Sequence, residues 1–403
     1  MPAPTLQELS PAGLDVTIDP YPAYAALREK GPVHRVLVPG SGEAWLVVAR
    51  DEARAALTDP RLSNDIRRSS SWVDDGGHAL GVNMLQSDPP QHTRLRELVA
   101  GKFTAGRIRA LRPRIQEIAD TLIDALPATG SVDLVASYAL PLPMTVICEL
   151  LGVPAADRAG YHAWSTELVA PSSPQAAAAA AGAMTGHLTA LIEERRADPR
   201  EDLLSALVTP TADGLSAEEL LGMAFLLLVA GHETTVNLIS GAVLSLLAHP
   251  EQLTALRSDP GLVDSAIEET LRHDGPVESA AFRFAAEPVR IGDTTIPAGD
   301  SVLVSLAAAS RDPLHFPDPD RFDIRRKPVG HLAFGHGIHH CLGAPLARVE
   351  AAVALRALIE RRPHLALDAD PADLVRRPST MLRGLASLPV RFHDAMPRLD
   401  VLP

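Results

Sequence analysis

The longest apolar stretch of the chain lies between Ser216 and His249. Ser216 and Glu219 have the spacing of a capping box, in which each side chain accepts a hydrogen bond from the other residue's main-chain N–H at the start of a helix. At 1.5 Å per residue, a helix over this stretch is roughly 50 Å long. Residues 220–231 are apolar on every side, so the helix must pass through a core. A membrane span needs about 20 apolar residues, and the polar triplet 232–234 interrupts the run too early.

The remaining periodicity predicts a mainly helical protein with a small β-sheet region. Apolar residues recur every three or four positions and predict further helices at 92–103, 108–126, 140–151, 184–196 and 344–361. Short runs rich in β-branched residues predict strands at Val36–Val38, Trp45–Val48, Val289–Ile291, Thr294–Ile296 and Val302–Ser305. Gly and Pro are spread along the 403 residues rather than gathered in a linker. We therefore expect one domain over residues 1–403.

Charge and cysteine content limit the partners and the compartment. The formal net charge is −13, whereas nucleic-acid binding requires a basic face, so we expect no nucleic-acid partner. The N-terminal residues contain no basic segment followed by an apolar run, so we expect neither a signal peptide nor a membrane anchor. With two cysteines and no export signal, the protein is expected to be reduced and cytoplasmic.

One of the two cysteines, Cys341, lies in an unusual loop. Residues 334–343 read Phe-Gly-His-Gly-Ile-His-His-Cys-Leu-Gly. The two closely spaced glycines allow tight turns and a close approach of the backbone to a flat ligand. An amphipathic helix follows, and the positive end of its dipole favours a thiolate at Cys341.

Cys341 by itself is open to several interpretations. A zinc site could use His336, His339, His340 and Cys341, but structural zinc sites usually take their ligands as separated pairs, and no second pair is visible. A phosphate loop of the G-x-G-x-x-G type fails because His340 occupies the place of the third glycine. Covalent haem attachment needs C-x-x-C-H, which is absent. A buried structural cysteine is the default for a lone cysteine.

The pattern F-G-x-G-x-H-x-C-x-G around Cys341 resembles the haem-binding loop of the cytochrome P450 family and matches it at every fixed position. The resemblance implies that Cys341 is the thiolate ligand of the iron in haem b. It implies a single-domain P450 fold with the haem between the long helix and the helix that follows Cys341. It also implies that His339 contacts a haem propionate and that Phe334, Gly335 and Ala230 lie against the haem.

The same resemblance implies an activity and partners. The nearest resemblance is to soluble actinobacterial members that hydroxylate macrolides, polyketides and steroid-like compounds. The expected protein is a haem-thiolate monooxygenase that inserts one atom of O2 into a C–H bond or a double bond of a bulky apolar secondary metabolite. Electrons would come from a soluble ferredoxin and its reductase, and the enzyme would be a monomer. The alternatives are a peroxide-dependent or rearranging haem-thiolate enzyme and a non-catalytic haem protein that binds a ligand.

Residues 230–235, Ala-Gly-His-Glu-Thr-Thr, are unusual for the middle of a helix. Gly and β-branched Thr have low helix propensity, and the Thr234 hydroxyl can donate to the carbonyl of Ala230 and bend the helix. The pair His232-Glu233 is not a zincin motif, because Val236 stands in place of the second histidine. The resemblance implies that Glu233 and Thr234 form an acid–alcohol pair that supplies protons at the oxygen-binding site.

A structural ion-pair group is also implied. Glu269 and Arg272 have the i,i+3 spacing of a helical ion pair. The same spacing occurs at Glu193 and Arg196, so it is weak evidence alone. The resemblance implies that Glu269, Arg272 and Arg321 form a buried structural triad.

Basic residues in two other segments match propionate-binding positions of the family. His92 and Arg96 are four residues apart and share one helix face, and two donors on one face suit a carboxylate or a phosphate. An exposed basic face is the ordinary alternative. The resemblance implies that His92, Arg96 and Arg283 hold the haem propionates.

The substrate pocket is expected from family position alone. Its predicted lining consists of small or apolar residues: Val82, Leu85, Val229, Ala230, Ala280, Ala281, Met381 and Leu382. Small residues leave room for a bulky apolar ligand. Glu278 and Asp74 could meet a cationic group, and exposure to solvent is the ordinary alternative for both carboxylates.

Overall fold

The computed structural model describes residues 3–72, 78–209, 214–327 and 330–393. Its helices, α1–α14 in chain order, span Leu6–Leu9, Tyr21–Lys30, Arg50–Ala56, Gln91–Ala100, Ala105–Ala125, Pro141–Leu151, Arg158–Val169, Pro174–Ala197, Leu203–Val208, Ala217–Ala248, Pro250–Ser258, Val263–Asp274, Leu306–Ser310 and Ala344–Arg361. Its strands, β1–β10, span Val33–Val38, Gly42–Val47, Leu62–Ser63, Gly130–Asp133, Arg283–Ala285, Val289–Ile291, Thr294–Ile296, Ser301–Val304, Leu365–Leu367 and Pro389–Phe392.

The long helix α10 forms the centre of the helical part. It begins with the predicted capping box, in which the Ser216 side chain accepts from the Glu219 N–H and the Glu219 side chain accepts from the Ser216 N–H. Helices α6, α8, α12 and α14 pack around it. Within the described part of the chain, α10 is the one helix long and apolar enough to span a membrane, but 67% of its most apolar window is buried inside the protein. We therefore assign α10 to the core.

The largest β-sheet lies beside the helical core. Its strand order is β1-β2-β8-β5-β3, with β2 and β8 parallel and the other neighbours antiparallel. Buried aliphatic residues such as Val47, Val302 and Val304 form a separate apolar cluster against this sheet. The sheet positions β5, and with it Arg283, at the edge of the helical core.

The predicted secondary structure is confirmed in its main elements. All six predicted helices are present, although α8 begins at Pro174 rather than near 184. The five predicted strands correspond to β1, β2, β6, β7 and β8. The five strands that were not predicted contain two to four residues each. Segments this short show no alternation and become strands only through their partners.

A buried ion-pair cluster fixes the chain ahead of the Cys341 loop. On α12, Arg272 donates from Nε to Oε2 and from Nη2 to Oε1 of Glu269, both at 2.8 Å. The same arginine donates from Nη1 to the carbonyl of Pro319 at 2.7 Å. Both side chains are almost fully buried, so their charges depend on each other and on nearby protein groups rather than on water.

The prediction that Arg321 is the third member of this group is wrong. Its side chain is 64% exposed and pairs with Asp323, and only its main-chain carbonyl accepts a hydrogen bond from Arg272, at 3.1 Å. Arg326 takes the expected place and donates from Nε to Oε1 of Glu269 at 3.2 Å. The Asp323 N–H also donates to Oε1 of Glu269, at 2.9 Å. The turn in which the Arg326 N–H donates to the Asp323 carbonyl then places Arg326 beside the same carboxylate.

Candidate active site

A cavity that is partly open to solvent lies between α10 and the loop that precedes α14. The loop contributes Cys341 and residues 333–336, and α10 contributes Ala230 and Thr234. Arg96 from α4 and Arg283 from β5 also line it. The cavity therefore has the position that the sequence predicted for a cofactor.

The Cys341 loop owes its shape to glycine and to short main-chain hydrogen bonds. Gly337 has a φ of +76°, and a Cβ there would lie 2.9 Å from Cγ2 of Thr58 and 3.1 Å from the carbonyl of Leu57. Only glycine avoids both the strain and the overlap. The Cys341 N–H donates to the carbonyl of Phe334 at 2.9 Å. The loop thus closes tightly and directs the cysteine side chain into the cavity.

The environment of Cys341 combines burial with nearby main-chain donors. Its side chain is accessible from the cavity but lies below the outer surface, so burial raises the pKa of the thiol. The N–H groups of Gly343 and Ala344, at the start of α14, oppose this rise by stabilising the thiolate. Metal coordination would deprotonate such a thiol outright.

The zinc interpretation gains no support from the geometry. In the ranges that the structure describes, no three His, Cys, Asp or Glu side chains converge as a metal site. His336 instead accepts from Nε of Arg54 at 3.1 Å.

Buried nitrogens without partners gather at one edge of the cavity, which His339 and Arg283 line and which His92 adjoins through His339. Both ring nitrogens of His92, Nε2 of His339 and Nε of Arg283 are buried and have no hydrogen-bond partner. The two imidazole rings lie 4.3 Å apart. Buried polar groups in native proteins are nearly always partnered, so this group of donors indicates an absent acceptor. A pair of carboxylates, such as the propionates of haem, fits these donors.

Electrostatics at this edge favour an anion. Burial is the main cause that lowers the pKa of His339 to about 3, and His92, Arg283 and Arg96 add to it. Burial also lowers the pKa of Arg283 to about 10. Burial disfavours the charged form of both side chains, and a bound anion would favour it. Arg96 also donates from Nη2 to the carbonyl of His340 at 2.6 Å, which ties α4 to the loop.

A buried acid that sequence reasoning missed lies at another edge of the cavity. Glu350 of α14 lines the cavity, is 1% exposed and has no partner for Oε2. Burial raises its pKa well above the ordinary value, which favours the neutral carboxylic acid. Its position on the apolar face of the amphipathic helix, between Leu346 and Val353, was a signal visible in the sequence.

On α10 the cavity meets one helical face. Thr234 donates from Oγ1 to the carbonyl of Ala230 at 3.0 Å, as predicted. Gly231 serves a different purpose, because a Cβ there would lie 2.7 Å from Cδ1 of Ile147. The glycine therefore lets α6 approach α10 and holds the helix in place beside the cavity.

Glu233 lies outside the cavity, although it was predicted to act with Thr234. Its carboxylate accepts from Oγ of Ser165 at 3.1 Å, lies 3.4 Å from Nε2 of His232 and pairs with Arg377 at 3.1 Å. Burial raises the pKa of this carboxyl, but His232, Arg377 and Ser165 together outweigh burial and lower the pKa to about 2. The structure thus separates the acid from the alcohol.

The predicted substrate residues divide into two groups. Leu85, Ala230, Ala280 and Ala281 line the cavity. Val82, Val229, Met381 and Leu382 are not among its lining residues. The lining also includes apolar residues that were not predicted: Met84, Phe103, Leu226, Leu227, Leu238 and Leu306.

The misplaced residues have identifiable positions. The main chain of Val82 packs against Gly222, where a Cβ would meet its carbonyl at 2.3 Å. Val229 lies four residues before Glu233, and this spacing puts both on the α10 face away from the cavity. Leu382 lines a second cavity, and Met381 is 39% exposed.

Glu278 also lines the second cavity. It accepts from the hydroxyl of Tyr24 at 2.5 Å, and burial raises its pKa. With Arg376 and Arg383 lining the same space, this site does not suit a cation. The carboxylate is not exposed either, so neither alternative considered for Glu278 describes it. Asp74, the other expected carboxylate, lies outside the described residues.

Comparison with known proteins identifies the family. Residues 258–373 match the family model described as Cytochrome P450. The chain is 57% identical over 396 residues to the cytochrome P450 monooxygenase PikC of Streptomyces venezuelae, with 97% of this chain and 95% of that protein covered. It is 46% identical over 391 residues to the 6-deoxyerythronolide B hydroxylase of Saccharopolyspora erythraea, with 93% and 96% covered.

Solved structures agree with these relatives. The tirandamycin C-bound P450 monooxygenase TamI is 47% identical and superposes with a TM-score of 0.90, covering 94% of this chain and 99% of that chain. Identity at this level over nearly the whole length extends well beyond the Cys341 loop. The chain therefore belongs to the cytochrome P450 family, and it is a haem-thiolate monooxygenase that carries haem b and acts on a small molecule with O2 and electrons from redox partners.

Proposed function

We propose that Cys341 ligates the haem iron and that the enzyme oxidises a bulky apolar secondary metabolite in the cavity beside α10. The observation that carries the assignment is the group of buried donors without partners at the edge of the cavity that Cys341 lines. His92, His339 and Arg283 would hold the propionates, and Arg96 would add positive charge. When bound, the haem supplies O2 activation and the insertion of one oxygen atom into a C–H or double bond.

Thr234 and Glu233 are proposed to handle protons. The Thr234 hydroxyl commits its proton to Ala230, so its lone pairs remain to hold a water molecule at the cavity wall. Glu233 takes up a proton from the solvent side and gives it to this water and hydroxyl. Because its carboxylate now pairs with Arg377, Glu233 must leave that partner before it can act.

The substrate is proposed to be a macrolide, a polyketide or a steroid-like molecule. Leu85, Leu226, Ala280 and Ala281 present apolar and small side chains to the cavity, which suits a bulky apolar ligand. Relatives are named for such compounds: 6-deoxyerythronolide B hydroxylase, mycinamicin IV hydroxylase/epoxidase and vitamin D(3) 25-hydroxylase. The similarity to this group as a whole supports the substrate class.

Electrons are proposed to come from a soluble ferredoxin and its reductase, acting on a monomeric, single-domain enzyme in the cytoplasm. Within the haem loop, Ile338 is 50% exposed, and His336, which accepts from Arg54, lies two residues before it. An exposed apolar residue with basic neighbours suits a small acidic partner.

The thiolate assignment is tested with Cys341→Ala. The wild-type ferrous–CO complex should show the red-shifted Soret band of a thiolate-ligated haem, and the variant should lose it. A variant that bound haem and kept this band would contradict the assignment. The substrate class is tested by adding macrolides, polyketides and steroids to the ferric enzyme, because a ligand that displaces water from the iron shifts the Soret band.

The role of Thr234 is tested by the coupling of electron use to product. Thr234→Ala should bind haem normally. A larger share of the NADH that it consumes should yield hydrogen peroxide instead of oxidised product. Fully coupled turnover in this variant would contradict the proton role. Product formation by the wild type with peroxide alone, at the rate seen with NADH and redox proteins, would contradict the dependence on an electron donor.

A further inference from the structure

A hairpin near the C-terminus, residues 376–385 (the C-terminal hairpin), is joined to the wall of the cavity. It closes on itself through the Arg377 N–H, which donates to the carbonyl of Gly384 at 2.9 Å. Its Arg383 N–H donates to the carbonyl of Pro276 at 2.9 Å, and its Met381 carbonyl accepts from the N–H of Glu278 at 2.8 Å. Pro276 lines the active-site cavity. The hairpin and the wall segment 276–281 therefore form one hydrogen-bonded unit.

The opposite side of the C-terminal hairpin grips α10. Arg377 donates from Nη2 to Oδ1 of Asn237 at 2.9 Å and pairs with Oε2 of Glu233 at 3.1 Å. Asn237 follows Glu233 by one helical turn, so the guanidinium spans two residues of one α10 face. Gly384 brings the hairpin close, because a Cβ there would lie 2.2 Å from Oδ1 of Asn237.

The C-terminal hairpin therefore connects the cavity wall at residues 276–281, which a substrate would contact, with Glu233, the acid proposed to supply protons. The wall segment contacts the cavity on one side and the C-terminal hairpin on the other. Arg377 is the one residue of the hairpin for which the described contacts include Glu233. A shift of the wall away from the cavity would carry the hairpin with it and weaken the Arg377–Glu233 contact.

We propose that Arg377 is a positioning residue that holds Glu233 outside the cavity, and that a bulky ligand pressing on residues 276–281 releases the acid toward Thr234. The inference rests on the proposed role of Glu233 and adds its regulation by the substrate. Proton supply is then available chiefly when the cavity is filled, which limits the waste of electrons in its absence.

Two histidines and a serine also face Glu233. His232 lies on the same helix, and Ser165 and His162 face the site from α7. The charge of Arg377 and the contacts of His232 and Ser165 act together against burial. Loss of Arg377 alone should therefore raise the pKa of Glu233 only in part, because His232 and Ser165 still stabilise the carboxylate.

The test measures the ionisation of Glu233 in the haem-loaded enzyme by infrared spectroscopy with isotope-labelled glutamate. The band is assigned by its loss in Glu233→Gln. Removing an adjacent opposite charge raises a carboxyl pKa by about one unit or more, so Arg377→Met should lower the acid dissociation constant of Glu233 at least about tenfold. Arg377→Lys should restore most of it. Arg376→Met is the matched control, because Arg376 pairs with Asp274 instead, and it should leave the Glu233 band unchanged.

A second arm tests the release. Clotrimazole, a bulky imidazole that ligates haem iron, serves as the probe, and its Soret shift verifies binding. It should move the carboxylate band of Glu233 in the wild type and in Arg376→Met, but not in Arg377→Met. An unchanged Glu233 titration in Arg377→Met, or an unmoved wild-type band with clotrimazole bound, would overturn the proposal. Fully coupled turnover of Glu233→Gln would instead overturn the proton role of Glu233, while the titration still reports whether Arg377 holds it.

Discussion

Two groups of buried polar and charged residues flank the Cys341 loop, and they differ in whether these side chains have hydrogen-bond partners. In the α12 cluster (Glu269, Arg272 and Arg326), the glutamate and the arginines satisfy one another and nearby carbonyls. Among the cavity donors (His92, His339 and Arg283), several buried nitrogens have no acceptor. Burial is similar in both, so burial alone does not mark a ligand site.

The difference teaches how structural and ligand-binding charges can be told apart. A closed cluster stabilises the protein by itself, and losing one member leaves a buried charge uncompensated. An open cluster costs stability until a ligand arrives. The two groups should therefore respond in opposite ways to substitution.

The largest effect is expected from opening the closed cluster. Arg272→Ala leaves the Glu269 carboxylate buried without its main partner and should lower the free energy of unfolding by about 3–5 kcal/mol. Denaturant titration of the purified protein measures the change. A loss below about 1 kcal/mol, the size typical of a surface pair, would show that the α12 cluster is not closed.

A smaller and different effect is expected from the cavity donors. His92→Leu removes two buried nitrogens without partners, so the haem-free protein should become more stable by about 1 kcal/mol or more. Haem should dissociate at least about tenfold faster, because a hydrogen bond to a charged group contributes about 1.5–3 kcal/mol. Transfer of haem to an excess of apomyoglobin gives the rate. If haem release stayed at the wild-type rate while the haem-free protein lost stability, His92 would be structural.

Glu350 sharpens the comparison, because it is buried near the same cavity without any charged partner. The pKa of Glu350 is higher in the folded than in the unfolded protein. Its contribution to the free energy of unfolding is therefore fully present below the unfolded-state pKa and is lost as the pH rises toward the folded-state pKa. Glu350→Gln cannot ionise and should be the more stable protein at pH 8, with an advantage over wild type that grows by about 1 kcal/mol or more between pH 5 and pH 8. Unfolding titrations across this range test it. Parallel pH profiles for the two proteins would mean that Glu350 has an unrecognised partner.

The smallest effect is expected at Arg321, the residue first assigned to the closed cluster. Its exposed pair with Asp323 should contribute no more than about 1 kcal/mol, and the carbonyl that accepts from Arg272 survives substitution. Arg321→Ala should thus unfold at nearly the wild-type denaturant concentration, whereas Arg326→Ala should not. Equal losses in the two variants would restore Arg321 to the cluster.

Much of the fold and part of the site could be predicted because the signals are local. The capping box at Ser216, the end of α10 at His249 and the back-bond from Thr234 to Ala230 each depend on residues within one turn of each other. The Cys341 loop is similar, since its glycines and the following helix are contiguous. Such features form wherever the local sequence occurs, whatever packs around them.

Other features depended on which elements meet. Arg326 replaced Arg321 because the turn from Asp323 to Arg326 lies against Glu269. Leu382 lines a second cavity because its hairpin is hydrogen-bonded to residues 276–278. The strands of two to four residues are also of this kind. Sequence spacing carries no record of such distant contacts.

Helix α10 shows which features the sequence determined and which the tertiary structure decided. Its extent, its caps and the hydroxyl of Thr234 followed from the chain alone, because helical hydrogen bonds and periodicity are local. Which side of α10 would face the cavity was decided by tertiary packing, with Ile147 against Gly231 and Arg377 against Glu233. Successive residues of a helix point about 100° apart, so a single choice of face placed Thr234 in the cavity and Glu233 outside it.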